Sequence, residues 1–273
     1  MSAALAAPSR VGPAIGERRR LRADGLVPVL LAIGGLSALL LAWWVGTELL
    51  PAPASFVRRF SPLAAFAALA KLVGGPDLAL HIATSLRRVA VGLAVALAIG
   101  VPLGLAVGRF RLVDAATAPS FQFLRMISPL SWMPIAVMLF GVGDRPIYFL
   151  LAFAAVWPIL LNTAAGVRQL DPQWLQVAQS VSATRWETLR SVILPGILGQ
   201  ILTGLRLAIG IVWIVLVPCE MLGVSAGLGY FILDTRDRLA YDELTATVLV
   251  IGLLGFLLDA AARLAARLWS RGG

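Results

Sequence analysis

The chain is poor in the residue types that carry enzyme chemistry. Its 273 residues include one cysteine, Cys219, and one histidine, His81. A single cysteine excludes an intrachain disulfide, and so small a supply of Cys and His excludes thiolate- or imidazole-based metal centres. Lysine occurs once, as Lys71 in AKLVGG. A phosphate-binding loop of the form G-x-x-x-x-G-K-[ST] therefore cannot be built here, and any ATP used with this protein must be bound by another chain. Charged residues make up only 14% of the sequence. No nucleophile, base and orienting group cluster among them, so no catalytic residue is assigned. The net charge is +9, but no basic soluble face with interleaved aromatics accompanies it, which excludes nucleic acid as a partner.

What the chain has instead is apolar length. Hydrophobic residues make up 59% and the mean hydropathy is +0.89. A soluble domain of this size cannot hide that much apolar surface, so an all-α protein crossing a lipid bilayer several times is predicted. Residues 1–26 read as a disordered basic tail. Residues 27–79 hold a first transmembrane helix, Val27–Gly46, and a loop. Ala52-Pro53-Ala54 is slightly similar to a signal-peptidase site, but the apolar run before it is longer than a signal segment, so an uncleaved helix is predicted. The core, residues 80–268, holds further spans near Ile82–Val107, Met126–Gly143, Pro146–Val167, Gly199–Gly223 and Leu244–Ala266, and residues 269–273 are a tail. Arg109–Arg125 reads as a short basic connection. Pro129 and Pro134 make the third span irregular. Six spans place both termini on one side. Fourteen arginines fall in the N-terminal tail, the 109–125 connection, the loop near 171–198 and the C-terminus, against six positive residues opposite. By the positive-inside rule both termini and the 171–198 loop are cytoplasmic.

That loop is the longest amphipathic stretch in the chain. Asp171 suits an N-cap and Pro172 the first helical position. Trp174, Val177, Ala178 and Val181 recur at i, i+3, i+4, i+7, one helical stripe. Thr184 and Glu187 form a T-x-x-E capping box, so a second helix begins there, and Pro195-Gly196 are expected to stop it. Two short helices joined at Ser182-Ala183 make either a docking element for a soluble partner or an ordinary interfacial loop.

The same segment resembles the EAA loop of ABC importer permeases, whose pattern is E-A-A, three residues, Gly, nine residues, I-x-L-P. Val192-Ile193-Leu194-Pro195 fits the end; Gln176, Val177 and Ala178 stand at E-A-A, and Ser182 stands at Gly. Together with SLRRVAVGLAVALAIGVPLGLAVG (85–108), SPLSWMPIAVMLFGVG (128–143), WPILLNTAAGVRQLDP (157–172) and GLRLAIGIVWIVLVPCEMLG (204–223), it is similar to the nitrate, sulfonate, taurine and bicarbonate branch. The resemblance implies a type I importer permease fold in a bacterial inner membrane, with Gln176, Val177, Ala178, Val181, Ser182, Ala183, Thr184 and Pro195 in the ATPase-coupling element. It implies two ATPase subunits that bind ATP and magnesium, a second permease copy, and a periplasmic or lipid-anchored binding protein. The transported solute would be a small oxyanion. A secondary transporter without an ATPase is the alternative; it would need inverted repeats and membrane-embedded acids.

Several polar residues in the spans are candidates for the translocation pathway. Arg206, several residues into an apolar run, either meets an anion through its planar guanidinium or holds structure near the interface. Glu220 fits a gate or a structural role, since a carboxylate repels an anion. Arg87 and Arg88 either draw anions to the mouth or anchor a helix end. Ser128, Ser131, Asn162 and Thr163 either line the path or bond between helices. Trp132, Trp157 and Trp213 read first as packing or interface residues, with a direct substrate role as the alternative, and Trp213 is counted among the pathway candidates.

Overall fold

The computed structural model describes residues 15–52 and 55–272, with side chains other than those of residues 15–26, 29 and 269–272. All regular structure among the described residues is helical. The chain divides into two compact units, residues 1–64 and 65–273.

In the first unit, α1 (Ile15–Trp44) continues into a π turn over Val45–Leu49. Its apolar part, Leu30–Leu49, is long enough to cross a bilayer, close to the predicted first span. α1 begins inside the segment predicted as a disordered tail, because a stretch of Arg, Leu and Ala has high helix propensity even without an apolar face. Residues 1–14 of that tail, and Pro53 and Ala54 of the Ala52–Ala54 tripeptide, lie outside the described residues. A 3-10 turn, Phe56–Phe60, folds back on the end of the helix. Trp43 Nε1 donates to Phe60 O at 3.0 Å, and Arg58 Nη2 to Glu48 O at 2.9 Å. α2 (Pro62–Val73) follows.

The second unit is built on α3 (Pro76–Arg109), α6 (Asp144–Gln169) and α9 (Leu194–Glu220), with α6 between the other two. α10 (Leu228–Asp237) and α11 (Tyr241–Gly272) pack on α9. Ile147, Leu150, Ile159 and Leu216 are fully buried between these helices. In a bilayer such packing rests on close approach and van der Waals contact rather than on water exclusion. Small residues supply the approach. A Cβ on Gly104 would stand 2.6 Å from Leu160 O and 2.6 Å from Thr163 Cβ of α6. One on Gly204 would stand 2.9 Å from Pro158 O.

Five helical stretches among the described residues are long and apolar enough to cross a membrane. Four in this unit contain or nearly match predicted spans. The third predicted span is different. Arg109–Arg125 is no loose connection but mostly α4 (Arg111–Met126), an amphipathic helix. The chain then breaks at Ile127–Ser128, makes a 3-10 turn over Pro129–Trp132, and continues as the eight-residue α5 (Met133–Phe140). The two halves meet at 87° and count as a sixth span only when taken together. Pro129 favours the break, because proline disfavours the helical conformation of the residue before it, and Ser128 is extended at ψ 130°. Gly141, at φ 78°, ends α5.

Candidate coupling groove and polar cluster

α7 (Pro172–Ser180) starts as its sequence predicts, with the Asp171 side chain accepting from Gln173 N at 2.9 Å and Pro172 in the first turn. α8 (Arg185–Thr188) opens on the predicted capping box: Thr184 Oγ1 accepts from Glu187 N, and Glu187 Oε2 accepts from Thr184 N at 2.7 Å. Between them the chain reverses through a Schellman motif. Ala183 N donates to Ala178 O and Ser182 N to Gln179 O, both at 3.0 Å. Ser182 takes the left-handed position that this motif requires, with φ 55°. That backbone demand is the physical reason a glycine suits the site, and serine fills it here.

The hairpin encloses a groove of about 670 Å³ lined by Trp174, Val177, Ala178, Val181, Ala183, Glu187, Thr188 and Val192 among others. The predicted stripe divides in two. Trp174, Val177 and Val181 are 61–70% exposed, whereas Ala178 is 5% exposed and packs within the hairpin itself. Gln176 is exposed and is not part of the groove lining. The second helix does not stop at Pro195-Gly196. A π turn over Leu189–Ile193 leads directly into α9, so Arg185–Glu220 is one membrane-length helical run. Pro195 stands just after that π turn, where Leu194 N donates to Leu189 O; the local widening of the helix accommodates a proline that does not break the run.

At the other end of α9 lies a buried polar cluster. Glu220, 1% exposed, accepts from Ser85 Oγ at 2.8 Å, Arg88 Nη1 at 2.7 Å and Gly229 N at 3.0 Å. Arg88, 2% exposed, also donates to Ala226 O at 2.7 Å and, through Nε and Nη2, to Asp144 Oδ1 at 2.9 and 2.6 Å. Arg87 meets the second oxygen of Asp144. Ser85 Oγ accepts from Leu228 N, and His81 Nδ1 accepts from Gly227 N, so the imidazole proton belongs on Nε2. Two cations face two carboxylates. A buried charge needs such pairing to exist at all.

Residues 100–272 match the family described as binding-protein-dependent transport system inner membrane component. The chain belongs to this family. The bicarbonate transport system permease protein CmpB of Synechococcus elongatus is 38% identical over 253 residues, 89% of each chain. The taurine transport system permease protein TauC of Escherichia coli is 34% identical over 238 residues, 86% of each chain. The nitrate import permease protein NrtB of Leptolyngbya laminosa is 37% identical over 180 residues, 66% of this chain and 64% of that one. The inward-facing MetNI methionine ABC transporter is similar in fold, with a TM-score of 0.54, 17% identity, and coverage of 68% of this chain and 92% of that chain. The protein is thus a membrane-embedded permease subunit with the type I importer fold. Its family works with an ATPase and a substrate-binding protein.

The permease fold brings together some of the polar residues predicted for the pathway and disperses others. Arg87, Arg88 and Glu220 meet in the cluster above, so none is a free ligand in this conformation. Arg206 is not a lone charge: its side chain is 45% exposed and its Nε lies 3.1 Å from Asp259 Oδ1 of α11, which also pairs with Arg263. Thr163 is fully buried and donates to Ile159 O, and Asn162 donates to Pro158 O, so both turn back on α6. Ser128 and Ser131 are exposed at the α4–α5 break. Trp213 donates to Ile251 O at 3.1 Å, as a packing residue does. Trp132 and Trp157 flank Phe153, each with ring centroids 5.6 Å away. Sequence reasoning missed His81, Ser85 and Asp144. A signal was present for the first two. His81, Ser85 and Arg88 are polar residues at i, i+4, i+7 in an apolar helix, hence on one face.

Proposed function

We propose that this chain is the membrane subunit of an ATP-driven importer for a small oxyanion, with the α7–α8 groove as the seat of the ATPase. The carrying observation is the groove itself, where Trp174, Val177 and Val181 are exposed on a hairpin whose backbone is fixed by a cap at each start and a Schellman reversal between. Exposed apolar side chains on a rigid frame suit a complementary soluble partner. Two such chains form one pathway, two ATPase subunits bind ATP and magnesium, and a binding protein delivers solute on the opposite face. Charge bias puts the groove and both termini in the cytoplasm, and the membrane is then a bacterial inner membrane. ATP-driven closure of the ATPase pair moves the hairpins and exchanges inward- for outward-facing states. This chain contributes no catalytic group. Bicarbonate, nitrate and the sulfonate of taurine, the solutes of its relatives by name, share a compact negatively charged oxygen face, which supports an oxyanion as the class.

The test is co-purification with the partner ATPase from membranes. Ala178 is the wrong residue to charge, because an aspartate there would disrupt the hairpin's interior. Val181→Asp, at a 70% exposed position, places an unpaired carboxylate in the contact and should cost about 1–3 kcal/mol, a roughly five- to 150-fold loss of ATPase affinity. Retention of the ATPase at wild-type affinity would sink the assignment.

A further inference from the structure

The cluster at Glu220 joins two things that matter to a transporter at opposite ends of one helix. Toward the groove, helical structure is continuous from Glu220 back to Arg185, and Glu187, Thr188, Ser191 and Val192 of that run line the groove. Away from it, the Glu220 carboxylate takes the N–H of Gly229, and Ser85 Oγ takes that of Leu228, both in the first turn of α10. The far tip of α10, Arg236 to Leu239, is exposed. Leu239 is a 61% exposed apolar residue held at φ 60°. That conformation closes α10 as Ser182 closes α7: Ala240 N donates to Thr235 O and Leu239 N to Arg236 O, and the reversal leaves the leucine exposed at the tip.

We propose that Glu220 and Arg88 are positioning residues that make α10 and α9 one body. Engagement of the α10 tip by the soluble binding protein is then transmitted along α9 to the coupling groove. The inference rests on the proposed function above. The chemistry of the cluster argues for it. A buried ion pair is no better for stability than a well-packed apolar pair, but it is directional. A displacement of α10 by about 1 Å would take these hydrogen bonds out of range, whereas an apolar contact would slide. The glycines leave no slack. A Cβ on Gly227 would lie 2.5 Å from both Arg88 Nη1 and Glu220 Cδ, and one on Gly229 would lie 2.2 Å from Val217 O.

The experiment uses the full complex of permease, ATPase and binding protein in nanodiscs, with an equimolar mixture of bicarbonate, nitrate and taurine as the solute probe. Basal ATPase rate, binding-protein-stimulated rate and ATPase retention are read together. In Glu220→Gln the amide oxygen keeps Arg88 and Ser85, while the amide NH2 faces the Gly229 N–H, donor against donor. The direct bond from α9 to α10 at Gly229 is lost, while the bonds from α3 to Glu220 and to residues 226–228 stay. Stimulation should fall about ten-fold, as expected for a lost charge-assisted hydrogen bond, with basal rate and retention unchanged. Ser85→Ala, which orphans no charge, should give a smaller loss of the same kind and decides the matter if Glu220→Gln does not fold. Full stimulation in the folded variants overturns the proposal. So does parallel loss of stimulation and ATPase retention, which marks a merely structural role. A wild-type complex that never holds the ATPase defeats the functional reading itself, and is recognised because it precedes any variant.

Discussion

Replacing Ser182 by glycine should tighten the hold of the permease on its ATPase although no contact is added. Ser182 sits at φ 55° at the turn between α7 and α8. A side chain in the left-handed region costs about 1–2 kcal/mol. Glycine removes that cost but has more freedom to lose from the unfolded chain, which takes back about 0.4–1 kcal/mol. The net gain is about 0.5–1 kcal/mol of hairpin order. If the ordered hairpin is what the ATPase binds, affinity rises about two- to five-fold. Ser182→Val should move the other way, because a branched Cβ is worse still at positive φ. Titration of the ATPase onto nanodisc-embedded permease reads the affinity, and hydrogen exchange of the amides of Val181–Thr184 reads the order. A series in which valine binds as well as serine, or glycine binds more weakly, would refute the argument that the turn's backbone sets the groove.

The helix seam and the buried tryptophan yield two further outcomes. Gly104→Ala drives a methyl into Leu160 O and Thr163 Cβ, so thermal unfolding in detergent should report a loss of about 1–3 kcal/mol. Gly210→Ala, with nothing within 4 Å, should cost nothing, and equal melting of the two would discredit the seam. Trp213→Phe removes the bond to Ile251 O and should lower stability by about 1 kcal/mol with solute uptake per folded molecule unchanged. Altered uptake at full stability would return Trp213 to the pathway.

How much was legible depended on the distance over which each feature is written. The start of α7 and the capping box of α8 each lie within four residues, so Asp171, Pro172, Thr184 and Glu187 could be read directly. The apolar runs were long enough to count as spans. The failures are of two kinds. Pro195-Gly196 looked like a stop because a stop and a proline carried within a continuing helix share one signature; the π turn that precedes it has none of its own. The ion pairs were illegible for a different reason. Arg88 and Glu220 are 132 residues apart, and Arg206 and Asp259 are 53 apart. Each looked like an isolated charge until the packing of α3, α9 and α11 supplied its partner. The burial of Ala178 escaped for want of the Schellman reversal, which brings the chain after Ser182 back over one edge of the four-residue stripe.

The continuous run from Arg185 to Glu220 also has a consequence for the lipid. Its 36 residues span about 54 Å at helical rise, against a hydrocarbon thickness of about 30 Å and about 40–45 Å with head groups. A helix that overshoots the bilayer can tilt or slip without dragging its ends under the surface. The run therefore exceeds the head-group-to-head-group thickness by about 10 Å, and a thicker or thinner membrane would change how much of the helix is wetted.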